Sequence, residues 1–202
     1  MNLEILALFI PTILAVSLTP GMCMTLAFTL GLTQGYRRTL WMMIGEMLGV
    51  AVVVSTTVLL LAWLLALDPI YFRMLGILGG IYLLWIAWRL WTAEEHFSGA
   101  RAGRAITGME LSILGFTTAV MNPKGWAFMI ALLPGFLDAE APIANQLAVF
   151  LGVMLVTEFL SMSLYATGGK WLGRILGEDK NLALLNKFAA LLMVAVSILV
   201  FS

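Results

Sequence analysis

Three ionisable side chains, Glu46, Lys124 and Glu158, lie deep inside apolar stretches of this sequence. A charge at mid-bilayer depth costs roughly 2.5–3.5 kcal/mol on insertion scales, so such groups are retained where they face a polar cavity or a partner. Lys124 sits in Asn122-Pro123-Lys124-Gly125, and an equivalent break, Thr19-Pro20-Gly21, interrupts the first apolar stretch. A proline inside a helix frees backbone groups that lipid cannot satisfy, so broken helices survive at membrane depth where they line a protected cavity. Paired breaks in the two halves of a chain point to a transporter's binding site.

These groups suit recognition of a zwitterion. Beyond Pro20 and Pro123 the helices restart from opposite directions, so two N-termini with free N–H groups and positive dipole ends meet near the midplane. That is a site for a carboxylate, reinforced by Lys124. The carbonyls that end the preceding half-helices near Thr19 and Asn122, together with Glu46 or Glu158, suit an ammonium. The substrate-binding candidates are therefore Thr19, Pro20, Gly21, Asn122, Pro123 and Lys124. Glu158 is the candidate for proton coupling, with Glu46 as the second. The plainer alternative for Lys124 and Glu158 is a buried pair that fastens two helices. For Glu46, eight positions beyond Arg38, it is a packing or near-interface role.

The elements that must position these residues follow from composition. With 62% hydrophobic and 11% charged residues and a mean hydropathy of +1.02, the chain reads as an integral membrane protein with the bilayer as its solvent. Apolar runs of spanning length, about 20 residues each, lie near 4–32, 39–66, 74–91, 111–133, 146–168 and 183–201. The expected fold is all-α: six transmembrane helices in a single domain over 1–202, with a cytoplasmic linker over 92–110. Residues 1–32 lack the positive n-region of a signal peptide, because no Lys or Arg precedes Arg37, so they are read as a retained first span.

Basic residues set the orientation. The connections after spans one, three and five carry Arg37, Arg38, Arg89, Arg101, Arg104, Lys170, Arg174, Lys180 and Lys187, against Arg73 alone after spans two and four. The positive-inside rule places the odd-numbered connections in the cytoplasm and both termini in the periplasm. Three spans per half is an odd number, so the second half enters the membrane from the opposite side. Two inverted three-helix repeats are expected, approximately 1–91 and 111–202, with helices one and four broken at Pro20 and Pro123 and with Glu46 and Glu158 in the helix after each break.

Other features exclude functions. A net charge of zero offers no basic patch for nucleic acid. Cys23 is the one cysteine, which removes disulfides and thiolate metal sites, so it reads as a small packing residue placed where it can line the cavity. No cofactor or metal is expected. Tyr82, Trp85, Trp88 and Trp91 read as an interfacial aromatic belt, and His96 as a solvated linker residue. No membrane-depth histidine or Ser–His arrangement supports an intramembrane enzyme. The asymmetric Lys124 and Glu158 constellation is unlike the ring of like groups in a passive channel or facilitator.

At these residues the chain resembles the LysE/RhtB amino-acid exporters. Ser17-Leu18-Thr19-Pro20-Gly21, Gly35-Tyr36-Arg37, Gly80-Ile81-Tyr82-Leu83-Leu84-Trp85 and Trp88-Arg89 are similar to that family's first half. Met121-Asn122-Pro123-Lys124-Gly125-Trp126-Ala127-Phe128, Leu133-Pro134-Gly135-Phe136, Glu158, Tyr165-Ala166-Thr167 and Asn186-Lys187 are similar to its second. The departures are Met22 where a second proline is usual, Gly135 in the Pro-Gln-Phe pattern, Glu158 for an aspartate, and Glu46, which has no counterpart. The resemblance implies a bacterial inner-membrane protein that exports amino acids or related small metabolites, closer to the homoserine and threonine branch, by exchange with protons. Its partners are then the amino-acid substrate, protons and membrane lipid, with homodimerisation left open.

Overall fold

Large apolar side chains that face outward need a non-aqueous neighbour, and this chain has many: Met121 is 74% exposed, Leu8 68% and Trp63 59%. The fold is seen in a computed structural model, which describes residues 3–19, 21–92, 106–137 and 141–168, together with 187, 190, 191, 193–195, 197 and 198. Pro20, His96, most of the 92–110 linker and most of the 183–201 stretch lie outside the described residues. The described chain is helical throughout, with no strand: α1 Leu3–Leu18, α2 Met22–Thr33, α3 Tyr36–Leu67, α4 Pro69–Thr92, α5 Gly108–Val120, α6 Pro123–Leu132 and α7 Ile143–Thr167. A 3₁₀ turn, Leu133–Gly135, follows α6.

Local chemistry sets the helix ends. Gly21 precedes α2 in an extended conformation, and Gly35 precedes α3 with φ of +80°, a region that glycine enters without strain. α5 begins with a capping box: the Thr107 side chain accepts from Glu110 N while the Glu110 carboxylate accepts from Thr107 N. The box starts the helix at Gly108, inside the stretch assigned to the linker, which therefore ends earlier than its sequence suggests. Asn122 caps α6, with Pro123 in the first turn where its missing N–H does no harm.

Among the described residues, Tyr36–Leu64 of α3 and Ile143–Thr167 are each long and apolar enough to cross a bilayer. The pair α1 and α2, inclined by 56° across the Thr19–Gly21 break, makes a third span if read as one. α3 takes α5 as its principal neighbour, and α2 packs along α7. Glycine makes both approaches possible. A Cβ at Gly45 would collide with the Ser112 backbone, one at Gly115 with the Met42 carbonyl, and one at Gly31 with the Ala166 backbone. Such small-residue contacts are how membrane helices pack closely without a hydrophobic drive.

Two apolar clusters fill the bundle. One gathers Phe28, Met42, Leu111, Met162 and Tyr165 at the end where Arg37 and Arg38 lie. The other gathers Phe9, Val54, Leu61, Phe128 and Phe150 toward the opposite end. Ser197 adds a polar tie to the fourth helix, donating to Gly80 O over 3.1 Å.

The glycine seam generates a stability test. Gly115→Ala should lower stability by about 1–3 kcal/mol, the usual range for overpacking, because backbone rather than a flexible side chain occupies the space. Gly152→Ala, with nothing within 4 Å of an added Cβ, should be neutral or stabilise by up to about 1 kcal/mol through helix propensity. Thermal unfolding of the detergent-purified protein compares them, and equal midpoints would refute the seam.

Candidate functional site

The two helix breaks are where backbone groups lose their intrahelical partners, and each is satisfied by side chains from elsewhere. At the end of α1, the Thr19 hydroxyl donates to Ala15 O over 2.9 Å and Thr19 N donates to Val16 O over 3.1 Å. Tyr165 OH of α7 donates to Leu18 O over 3.0 Å, and Lys124 Nζ donates to Thr19 O over 3.2 Å. At the end of α5, Met121 N and Asn122 N donate to Thr117 O and Ala119 O. The Trp126 indole reaches back to Val120 O over 2.8 Å. Buried carbonyls at helix termini are thereby accounted for at membrane depth.

Lys124 joins the breaks. Its N–H meets the Asn122 side chain at 3.1 Å, while its ammonium crosses to α1 at Thr19 and lies 5.9 Å from the centre of the Phe128 ring. A Cβ on Gly21 would touch this ammonium at 3.4 Å, so glycine there leaves the lysine its path. Asn122 Nδ2 turns toward Cys23 Sγ, 3.8 Å away. The ammonium therefore occupies the α1 carbonyl position that the sequence offered to a substrate ammonium.

A cavity of about 60 Å³ lies between the breaks, enough for several waters. Thr19, Gly21, Asn122, Lys124 and Glu158 line it, joined by Cys23. Five of the eight residues singled out in the sequence thus meet at one place. Pro123 does not: it lines an apolar groove on the other side of the break, with Trp126, Tyr82 and Leu78. Pro20 lies outside the described residues. Glu46 is fully buried in α3 and stands within electrostatic reach of Cys23 and Glu158, without lining the cavity itself.

The carboxylates are under-satisfied. Both oxygens of Glu46 and Oε2 of Glu158 are buried without a hydrogen-bond partner, as is the neighbouring Ser161 hydroxyl. Ser17 stands beside Glu158, and Lys124 acts on Glu158 electrostatically. Lys124 nonetheless directs its ammonium hydrogen bond to Thr19 O, so the simple lysine–glutamate fastener is not the arrangement found. Buried polar atoms left without partners are rare and call for an explanation, such as an ion or ligand to be bound. No group of three His, Cys, Asp or Glu that could hold a metal occurs among the described residues.

Sequence reasoning missed four contributors. Tyr165 and Trp126 were visible only as parts of a resemblance, and their roles as carbonyl donors required knowing which helices meet. Ser17 and Ser161 gave no signal beyond being polar residues in apolar helices.

Residues 14–202 match the family model described as LysE type translocator. A leucine efflux protein of Enterobacter sp. (strain 638) is 26% identical over 171 residues, covering 84% of this chain and 81% of the relative. A homoserine/homoserine lactone efflux protein of Salmonella typhi is 24% identical over 184 residues, covering 91% and 89%. An uncharacterized membrane protein of Vibrio cholerae is 24% identical over 188 residues, covering 93% and 91%. No solved structure matches.

The unpartnered carboxylate of Glu46 carries a stability prediction. Leaving a buried polar group unsatisfied costs about 1–3 kcal/mol, so Glu46→Met, which keeps an unbranched shape, should raise the unfolding midpoint by several degrees, at roughly 2–4 °C per kcal/mol for a chain of this size. Differential scanning fluorimetry of the purified variant measures this. A lowered midpoint would mean that Glu46 has a partner in the folded protein.

Proposed function

The chain belongs to the LysE type translocator family, and we propose on that footing that it exports amino acids or related small zwitterions across the bacterial inner membrane in exchange for protons. It is a multi-pass membrane translocator, not an enzyme. Relatives named for leucine, homoserine and cysteine/O-acetylserine efflux support an amino-acid substrate. The observation that carries the site assignment is the Lys124 ammonium on Thr19 O, 3.2 Å away, beside a glutamate with an unpartnered oxygen.

The fold reading behind it is six spans in two inverted repeats, with both termini periplasmic. The order of elements supports it: a broken helix and then a long helix with a buried acid occurs twice, as α1, α2 and α3 with Glu46 and as α5, α6 and α7 with Glu158. A substrate carboxylate draws Lys124 from Thr19 O. The substrate ammonium then meets the freed carbonyl and Glu158, while Gly21, Asn122 and the start of α6 close around the carboxylate. Pro123 acts by breaking its helix, not by touching substrate. Glu158 carries the coupled proton, because the nearby ammonium favours its charged form and burial disfavours it. Moving Lys124 tips that balance. Glu46 is the second acid of the relay.

Two variants test this. Lys124→Met keeps bulk and removes the charge, so the protein should reach normal abundance while export of a responsive amino acid falls at least tenfold in proteoliposomes. Export at the native rate would remove Lys124 from the site. Glu158→Gln should lose accumulation driven by an imposed proton gradient yet retain substrate counterflow, which moves no net proton. If it still concentrates substrate against a gradient, the coupling site lies elsewhere.

A further inference from the structure

Substrate held in the cavity must leave through one of its two sides, and the two sides are closed by different means. Toward the end that carries Arg37 and Arg38, closure is backbone against backbone. Gly31, Gly45 and Gly115 meet Ala166, Ser112 and Met42 so closely that no Cβ fits. Polar ties pin the same end: Tyr36 OH and Ser163 Oγ lie 3.2 Å apart, Ser112 Oγ donates to Trp41 O over 2.8 Å, and the Arg38 guanidinium donates to Ile106 O.

Toward the opposite end, closure is made by side chains. The Phe9 ring centre lies 5.0 Å from those of both Phe136 and Phe150. Each of the three follows or precedes a cavity-lining residue on its own segment: Phe9 comes seven positions before Val16, Phe136 seven after Met129, and Phe150 four before Met154. At 1.5 Å of rise per residue this sets all three rings roughly 6–11 Å beyond the cavity, on one side of it. They come from three separate segments, α1, the chain just past the Leu133–Gly135 turn, and α7. Glycines near two of the rings have room to spare, since a Cβ added at Gly135 or Gly152 would meet nothing within 4 Å.

We propose that Phe9, Phe136 and Phe150 form the outer gate of the translocation path, opening by separation of the three rings while the glycine seams at the basic end stay shut. This rests on the reading of the cavity as the substrate site and of the basic end as cytoplasmic. Aromatic contacts between segments yield to ring rotation and small shifts of the Phe136 turn. A backbone-to-backbone seam yields only when whole helices move. The residues Leu133-Pro134-Gly135-Phe136 thereby acquire a role: the 3₁₀ turn ends α6 and presents the Phe136 ring from a short, non-helical segment.

The chain supplies its own reporter. Cys23 is the one cysteine in the sequence, and its side chain, 4% exposed, lines the cavity. A membrane-impermeant thiol reagent applied to right-side-out and inside-out vesicles should modify Cys23 slowly in the native protein. In Phe9→Ala and in Phe150→Ala, modification from the outside should accelerate at least tenfold while the rate from the inside stays unchanged. An unchanged outside rate, or an equal rise from the inside, overturns the gate. Should the alanine variants not fold, Phe9→Cys combined with Phe136→Cys keeps the proposal testable. Joining the two by a short, reducible bis-thiol reagent, with the bridge verified by mass, should cut export at least tenfold relative to the same protein unbridged, and reduction should restore it. Export unaffected by the bridge overturns the proposal. The labelling measurement needs no substrate, so a native protein that exports no amino acid counts against the transport reading alone.

Discussion

Everything in this molecule is arranged around backbone carbonyls that have no water to turn to. Two helices stop inside the bundle, and the carbonyls there are met by side-chain donors from other helices: Tyr165 for Leu18 and Lys124 for Thr19 from distant parts of the chain, and Trp126 for Val120 from across the adjacent break. The bilayer makes these contacts obligatory, since a missing bond in an apolar medium costs several kcal/mol. Because the donors come from α6 and α7 and the acceptors from α1 and α5, the same bonds that repair the breaks also fix the helices around the cavity.

The site is strained in a different currency from the rest of the fold. Its apolar surroundings are closely packed, with Phe128, Met129 and Met24 nearly inaccessible, yet Glu46 and Glu158 keep oxygens without partners. A sequence selected for stability alone would fill these positions with apolar residues. Unsatisfied acids beside a cavity are positions where packing alone does not explain the residue.

Much of this was legible in the sequence because the bilayer imposes simple rules. Prolines in apolar runs located the breaks, and charges at membrane depth located Lys124, Glu46 and Glu158. What stayed hidden were properties of helix pairing. Nothing local says that the Lys124 ammonium reaches Thr19 rather than Glu158, that Pro123 turns toward a groove instead of the cavity, or that Glu46 lies at complete burial behind Cys23. The start of α5 was less legible for a smaller reason: Thr107 and Glu110 form a capping box, and both residue types are also common in polar linkers.

The glycine contacts tie together parts of the chain that are made at different times. Gly45 and Glu46 belong to the second apolar stretch, but the surface that covers Gly45, Ser112 of α5, comes some 65 residues later in the chain. During synthesis, the helices that precede α5 can therefore enter the membrane with the face of Gly45 uncovered, and the arrival of α5 closes that interface. The earlier part of the chain is thus a waiting template rather than a finished unit, and its closest helix contact can form only once α5 has inserted.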